Sequence, residues 1–204
     1  MITLIDYGVG NIFAFQNVYK RLGIPTRIAK TKEDLVDARK LILPGVGSFD
    51  YAMSQLNDSG MREKLDDLVL VDKVPVIGIC VGMQMMGNRS DEGSLEGLKW
   101  IDSEILKFDE RLIQHRTKLP HMGWNDVTPV SNHRLFNGLE KEAIFYFLHS
   151  YYFKCNNPTD SIAISDYGVS FSSAVNSDNI YGIQFHPEKS HQYGEKLLYN
   201  FAKL

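Results

Sequence analysis

Cysteine is scarce in this chain: of 204 residues only Cys80 and Cys155 carry a thiol. One pair makes at most one disulfide, and a chain of this length buries enough apolar surface to need no staple. The N-terminal Met-Ile-Thr-Leu-Ile-Asp has neither a basic n-region nor a long apolar stretch. The expectation is therefore a chain without export signal or anchor, working in a reducing cytoplasm. No window approaches ~18 uninterrupted apolar residues, which excludes a membrane-spanning helix. Long basic runs are missing and the net charge is -3, so neither nucleic acid nor an anionic membrane is an expected partner. Linkers rich in Gly, Ser or Pro and internal repeats are lacking too, so residues 1–204 read as one domain.

What is present is ordinary for a soluble globule, with 44% hydrophobic and 23% charged residues. The first half alternates short apolar runs with helical spacing. Ile2–Asp6, Pro25–Ala29, Lys40–Leu43 and Val74–Ile79 read as strands, the third stopping at Pro44-Gly45. Ile12–Leu22, Lys32–Ala38, Ser48–Leu70 (interrupted near Ser59-Gly60) and Met83–Met86 read as helices. Such alternation implies right-handed crossovers and an α/β fold built on an open, largely parallel sheet flanked by helices. The second half changes character. Trp100–Phe108, Asn125–Val130, Ile144–His149, Ile162–Ser165, Val169–Val175 and Tyr181–Phe185 read as strands joined by turns, which predicts antiparallel hairpins. Lys196–Lys203 closes the chain as a helix.

Cys80 stands where a buried strand hands over to a helix, in Gly78-Ile79-Cys80-Val81-Gly82. Glycine on both sides lets the chain turn tightly and lets substrate approach, the nucleophile-elbow pattern with sulfur in place of oxygen. The thiol then faces the N-terminus of the next helix, whose dipole favours negative charge, and the Val81 amide points at a developing oxyanion. Cys155, between Lys154 and Asn156, has no such setting and reads as an ordinary strand-end residue. A thiol nucleophile needs a base or an imidazolium partner. Of the six histidines, His186 follows an apolar strand, and Glu188 lies two residues on, across Pro187. In extended chain those two side chains share a face, so the carboxylate can orient the imidazole. A metal held by His186, Glu188 and His191 is the weaker reading, because no further ligand cluster supports it. His115, His121, His133, His149 and His191 have no elbow or strand-end partner of that quality. Met83, Met85 and Met86 read as packing behind the elbow. Gly8-Val9-Gly10-Asn11 is not a dinucleotide fingerprint, since Phe13 occupies the third glycine position, and no Gly-Lys-Ser/Thr follows. No cofactor is called for.

Together, Gly78–Gln84 and Gln184–Glu188 resemble the nucleophile and His/Glu motifs of the class I, triad-type glutamine amidotransferases, and Leu43–Phe49 resembles that family's oxyanion strand. The resemblance spans nearly the whole chain. Pro120–Asn125, Phe145–Tyr151 and His186–Ser190 are similar to the branch that feeds ammonia to a cyclase of histidine biosynthesis. It implies a flavodoxin-like fold and hydrolysis of L-glutamine by Cys80, His186 and Glu188. It further implies oxyanion stabilisation by Val81 with Gly45, Val46 and Gly47, and glutamine binding by Gln84, Ser150 and Tyr151. The implied partner is a (β/α)₈ cyclase, with Asn11, Trp124, Asn125 and Lys189 near the interface. An exposed Trp124 fits a binding hot spot, and a core aromatic fits the local sequence equally well. Glycines beside Val46 make a peptide flip cheap, so the oxyanion hole is expected to complete itself only when the partner is loaded. Glu92–Asp102 and Lys189–Gly194 are more similar to a paralogous branch that serves bacterial surface-sugar amidation. A non-catalytic regulatory subunit and a stand-alone cysteine hydrolase are the remaining alternatives.

Overall fold

The computed structural model describes residues 1–141 and 143–204. Strands β1 (Ile2–Ile5), β2 (Thr26–Ala29), β3 (Leu41–Gly45) and β4 (Val76–Cys80) are separated by helix α1 (Ile12–Arg21), a 3₁₀ turn at Glu33–Leu35 and helices α2 (Phe49–Asp58) and α3 (Arg62–Asp66). The chain continues through α4 (Val81–Met85), β5 (Arg89–Ser90), β6 (Ser103–Lys107), β7 (His121–Asp126), β8 (Thr128–Pro129), β9 (Ile144–His149) and β10 (Tyr151–Cys155). It ends with β11 (Ser161–Asp166), β12 (Ser170–Ser177), β13 (Ile180–Ile183) and α5 (His191–Lys203).

The main sheet runs β2-β1-β3-β4-β13-β12-β10-β6-β5, with β11 and β8 paired off β12. Its first five strands are parallel, and the ladder turns antiparallel at the β13–β12 pair. The sheet is mixed and mostly parallel at its centre, with helices packed on it. β1, β3 and β4 are buried along their whole length, as expected for strands covered on both faces. β7 and β9 form a separate antiparallel pair whose burial alternates residue by residue, one face inward and one outward. One continuous apolar core extends from Ile2 to Phe201. Met83, Met85 and Met86 are fully buried in it behind the elbow. No helix among the described residues is long and apolar enough to cross a membrane.

Several boundaries differ from the sequence pattern, each for a tertiary reason. β3 does not stop at Pro44-Gly45 but runs through both, because Pro44 and Gly45 stay in register with Ile79 and Cys80 and the Pro44 carbonyl accepts from the Tyr7 hydroxyl at 2.7 Å. Lys32–Ala38 shrinks to the 3₁₀ turn, and α4 starts two residues early, directly after Cys80. The strand expected at Asn125–Val130 begins at His121, since β9 offers it a partner from Ile144 to His149. The strand expected at Tyr181–Phe185 ends at Ile183. α5 starts five residues before Lys196. Ser190 fixes that start, its hydroxyl donating to the His186 carbonyl and accepting from the Tyr146 amide.

Candidate active site

The parallel strands set the site. β4 lies between β3 and β13, and the carboxyl ends of all three converge where ligands of open α/β sheets bind. Cys80 ends β4 with φ 56° and ψ -115°, a left-handed conformation that costs a non-glycine residue about 1–3 kcal/mol. The turn closes because α4 nearly touches β3. A methyl group on Gly82 would overlap the Leu43 carbonyl, and one on Gly45 would overlap the Gly82 amide. Strain and close packing thus hold the sulfur at the tip of the sheet.

His186 follows β13 by three residues, and its amide donates to the Tyr146 carbonyl at 2.8 Å. Its Nδ1 lies 2.8 Å from Glu188 Oε1, and both side chains are almost wholly buried. Burial opposes charge on the imidazole. Hydrogen bonding to the Cys80 sulfur and the Glu188 carboxylate, with the charges of both, overrides burial and lifts His186 to about 10. Glu188 Oε2 is buried without a partner among the described residues, so its charge is directed at this one ring.

These groups open onto a cavity of about 260 Å³. The cavity is lined by Cys80, His186, Val46, Gly47 and Val81 together with Gln84, Leu148, His149, Ser150 and Tyr151, with Glu92 and Lys189 also on its walls. Gly47 has φ +83° and Val46 is exposed, whereas Gly45 stays behind them against Gly82. Gln84 is not free: its amide donates to the Tyr151 carbonyl at 3.1 Å and to Gln184 at 3.0 Å. Of the expected partner-facing residues, Lys189 stands over the Tyr146 ring. Trp124 is 45% exposed, which removes the core-aromatic reading, and stacks on His191 at 5.3 Å. Among the described residues no group of three or more His, Cys, Asp or Glu side chains is placed to hold a metal ion. Asn125 lines a neighbouring cleft rather than the cavity, and Asn11 caps α1 through Ala14. Cys155 ends β10, with its thiol pushed up to about 11 by burial.

Glu92 enters the sequence pattern only as the start of the Glu92–Asp102 stretch, not as a site residue. It sits in the loop after β5, where nothing local marks it out, and its carboxylate accepts from the Phe49 amide at 2.8 Å. Glu92 and burial together raise the Tyr151 phenol, with burial the larger effect. Gln184 was read only as part of a motif, yet its amide points at the Cys80 sulfur at 3.8 Å.

Comparison with known proteins gives a consistent picture. The family model described as glutamine amidotransferase class-I matches residues 3–204. The chain is 56% identical to the imidazole glycerol phosphate synthase subunit HisH of Bdellovibrio bacteriovorus over 204 residues, covering 100% of both. It is 50% identical to the subunit of that name from Leptospira interrogans, again covering 100% of both. Among solved structures, a putative GMP synthase subunit from Thermoplasma acidophilum superposes with a TM-score of 0.72 at 25% identity, over 99% of this chain and 92% of that one. PurLQS from Thermotoga maritima superposes at 0.74 with 14% identity, over 99% and 97%, a likeness of fold.

Proposed function

The chain belongs to the class-I glutamine amidotransferases, and from that premise we propose that it is the glutaminase subunit of an imidazole glycerol phosphate synthase. In that role it hydrolyses L-glutamine and passes the ammonia to a (β/α)₈ cyclase that makes imidazole glycerol phosphate and AICAR in histidine biosynthesis. The observation that carries the reading is the strained Cys80 sharing one cavity with His186, whose Nδ1 is held at 2.8 Å by the buried Glu188 carboxylate.

The Cys80 sulfur adds to the side-chain amide carbon, and the oxygen takes up negative charge. The Val81 amide and the Gly45–Gly47 segment stabilise that oxyanion. His186 already holds the proton the amine needs, so it donates it, the C–N bond breaks and ammonia leaves. The neutral imidazole then takes a proton from water, which attacks the thioester and releases glutamate. Glu188 orients the ring and stabilises its charged form. Glu92 offers a counter-charge for the substrate ammonium, and Gln84, Ser150 and Tyr151 hold the rest of the amino acid. The exposed Val46, between Gly45 and Gly47, suits a peptide flip that completes the hole when the partner is loaded.

Partner docking is supported by the outward face of β7 and β9. Met122, Trp124, Ile144 and Leu148 are exposed there, with Trp124 opposite Tyr146 and Met122 opposite Leu148. Leu148 and Lys189 carry that face to the cavity rim. The test compares glutamate release by wild type and Cys80→Ala, with and without a co-expressed cyclase. Release only from wild type, rising with the cyclase, is expected. Equal release from both variants would sink the mechanism, and full activity without a partner would sink the gating. Turnover stimulated only by a sugar-acting partner would transfer the chain to surface-sugar amidation.

A further inference from the structure

Two buried histidines take no part in the chemistry above. His121 on β7 and His149 on β9 stand opposite one another in register. Nδ1 of His121 lies 2.9 Å from Nε2 of His149. The proton positions follow from the neighbours. His149 Nδ1 is 2.8 Å from the Tyr151 carbonyl, and a carbonyl only accepts, so this nitrogen carries the hydrogen. A neutral ring then has a bare Nε2, which accepts from Nδ1–H of His121. Nε2 of His121 is left bare in turn, and the Asn125 amide donates to it at 3.2 Å. Asn125 is itself anchored: it donates to the Asp166 carbonyl at 2.9 Å and accepts from the Asp126 amide at 2.8 Å. With Asn125 so oriented, a second proton on either ring would set two donors face to face. Burial first, and the neighbouring ring second, pull His149 down to about 3, while burial and His115 pull His121 down to about 4.

The chain of bonds continues beyond Tyr151. Its carbonyl also accepts from Gln84, whose other hydrogen goes to Gln184 Oε1, and the Gln184 amide reaches the Cys80 sulfur. The side chains of His121, His149, Gln84 and Gln184 are all buried, so each bond lost between them leaves a buried polar group short of a partner.

We propose that His121 and His149 form a one-way hydrogen-bond relay that fixes the Ser150–Tyr151 bend and, through the Tyr151 carbonyl, the Gln84 wall against which glutamine is held. They are positioning residues for substrate binding, and the role rests on the glutaminase reading above. An asparagine amide approximates the Nδ1–H donor, whereas leucine keeps bulk without it. In the complex with the co-expressed cyclase, His149→Leu raises KM for glutamine about ten- to a hundredfold with kcat within about threefold, and His149→Asn stays within about threefold of wild-type KM. Indistinguishable KM values for the two variants overturn the positioning role. A second measurement needs no variant. In ¹⁵N-imidazole spectra of the wild-type chain at neutral pH, both rings appear as the Nδ1-protonated tautomer, with a scalar coupling across the His121–His149 hydrogen bond. An Nε2-protonated or charged ring overturns the relay whatever the glutaminase activity. Spectra as expected from a chain that releases no glutamate would instead overturn the glutaminase reading, and with it the role in glutamine binding.

Discussion

His186 and His149 line the same cavity and are equally inaccessible, 4% and 6% exposed, yet they are driven in opposite directions. One is raised to about 10 and the other lowered to about 3. Burial pushes both toward neutrality, so it does not explain the difference. The partners do. His186 faces a sulfur and a buried carboxylate, while His149 faces a backbone carbonyl and a neutral ring. The cavity therefore has a charged corner that holds a proton and a neutral wall that does not compete for it. Pairs of titratable groups pushed apart by environment are how acid and spectator roles become assigned at one pH.

The strongest way to break this contrast is to neutralise the charged corner. Glu188→Gln keeps the shape and leaves an oxygen for Nδ1–H, but removes the charge. With only the Cys80 sulfur left to raise the ring against burial, His186 should fall from about 10. The expected loss in kcat for glutamate release is about ten-thousandfold, in line with neutralising the orienting carboxylate of other triads. A loss under about tenfold would mean that Glu188 is not what holds the proton.

Acid should expose the neutral wall. An unfolded histidine titrates near 6.5, while His121 and His149 resist protonation in the fold until about 4 and about 3. Between those values the unfolded chain binds more protons, so stability falls as pH drops from about 6.5 toward 4. The slope is at most about 1.4 kcal/mol per pH unit for each ring. His186 adds no slope there, because its raised value leaves it protonated in both states once pH is below the unfolded value. Urea unfolding across this range should give a steep line for wild type and a flatter one for the His121→Asn/His149→Asn variant. Equal slopes would count against neutral buried rings.

The charged corner was legible in the sequence because its signals are local. Glycines two residues either side of Cys80, at a strand-to-helix handover, mark the elbow. His186 and Glu188 are neighbours across a proline. The neutral wall was not legible, because its geometry is made by pairing. His121 and His149 meet only through the β7–β9 register, and β7 contains Gly123 and gives no strand pattern before Asn125. Glu92 reaches the cavity from a loop whose position depends on its tie to Phe49, 43 residues earlier. The parallel half of the fold was read well for the same reason that the corner was: buried strands such as Val76–Cys80 are continuous apolar runs. The second half depended on cross-strand partners that no single window contains, so its boundaries moved most.

The smallest expected effect separates the two faces of β7. His121 and Asn125 belong to the relay, whereas Trp124, between Gly123 and Asn125, lies on the outward face against His191 and opposite Tyr146. Trp124→Ala should cost about 2 kcal/mol of partner affinity, a rise of about thirtyfold in the dissociation constant, as expected for an aromatic anchor in a protein interface. Trp124→Phe should recover most of it. Because alternate residues of a strand face opposite sides, neither change should alter the His149 tautomer or the KM for glutamine of the pre-assembled complex. A shift in KM with partner affinity unchanged would put Trp124 with the glutamine wall instead, and would remove the division between an outward docking face and an inward relay.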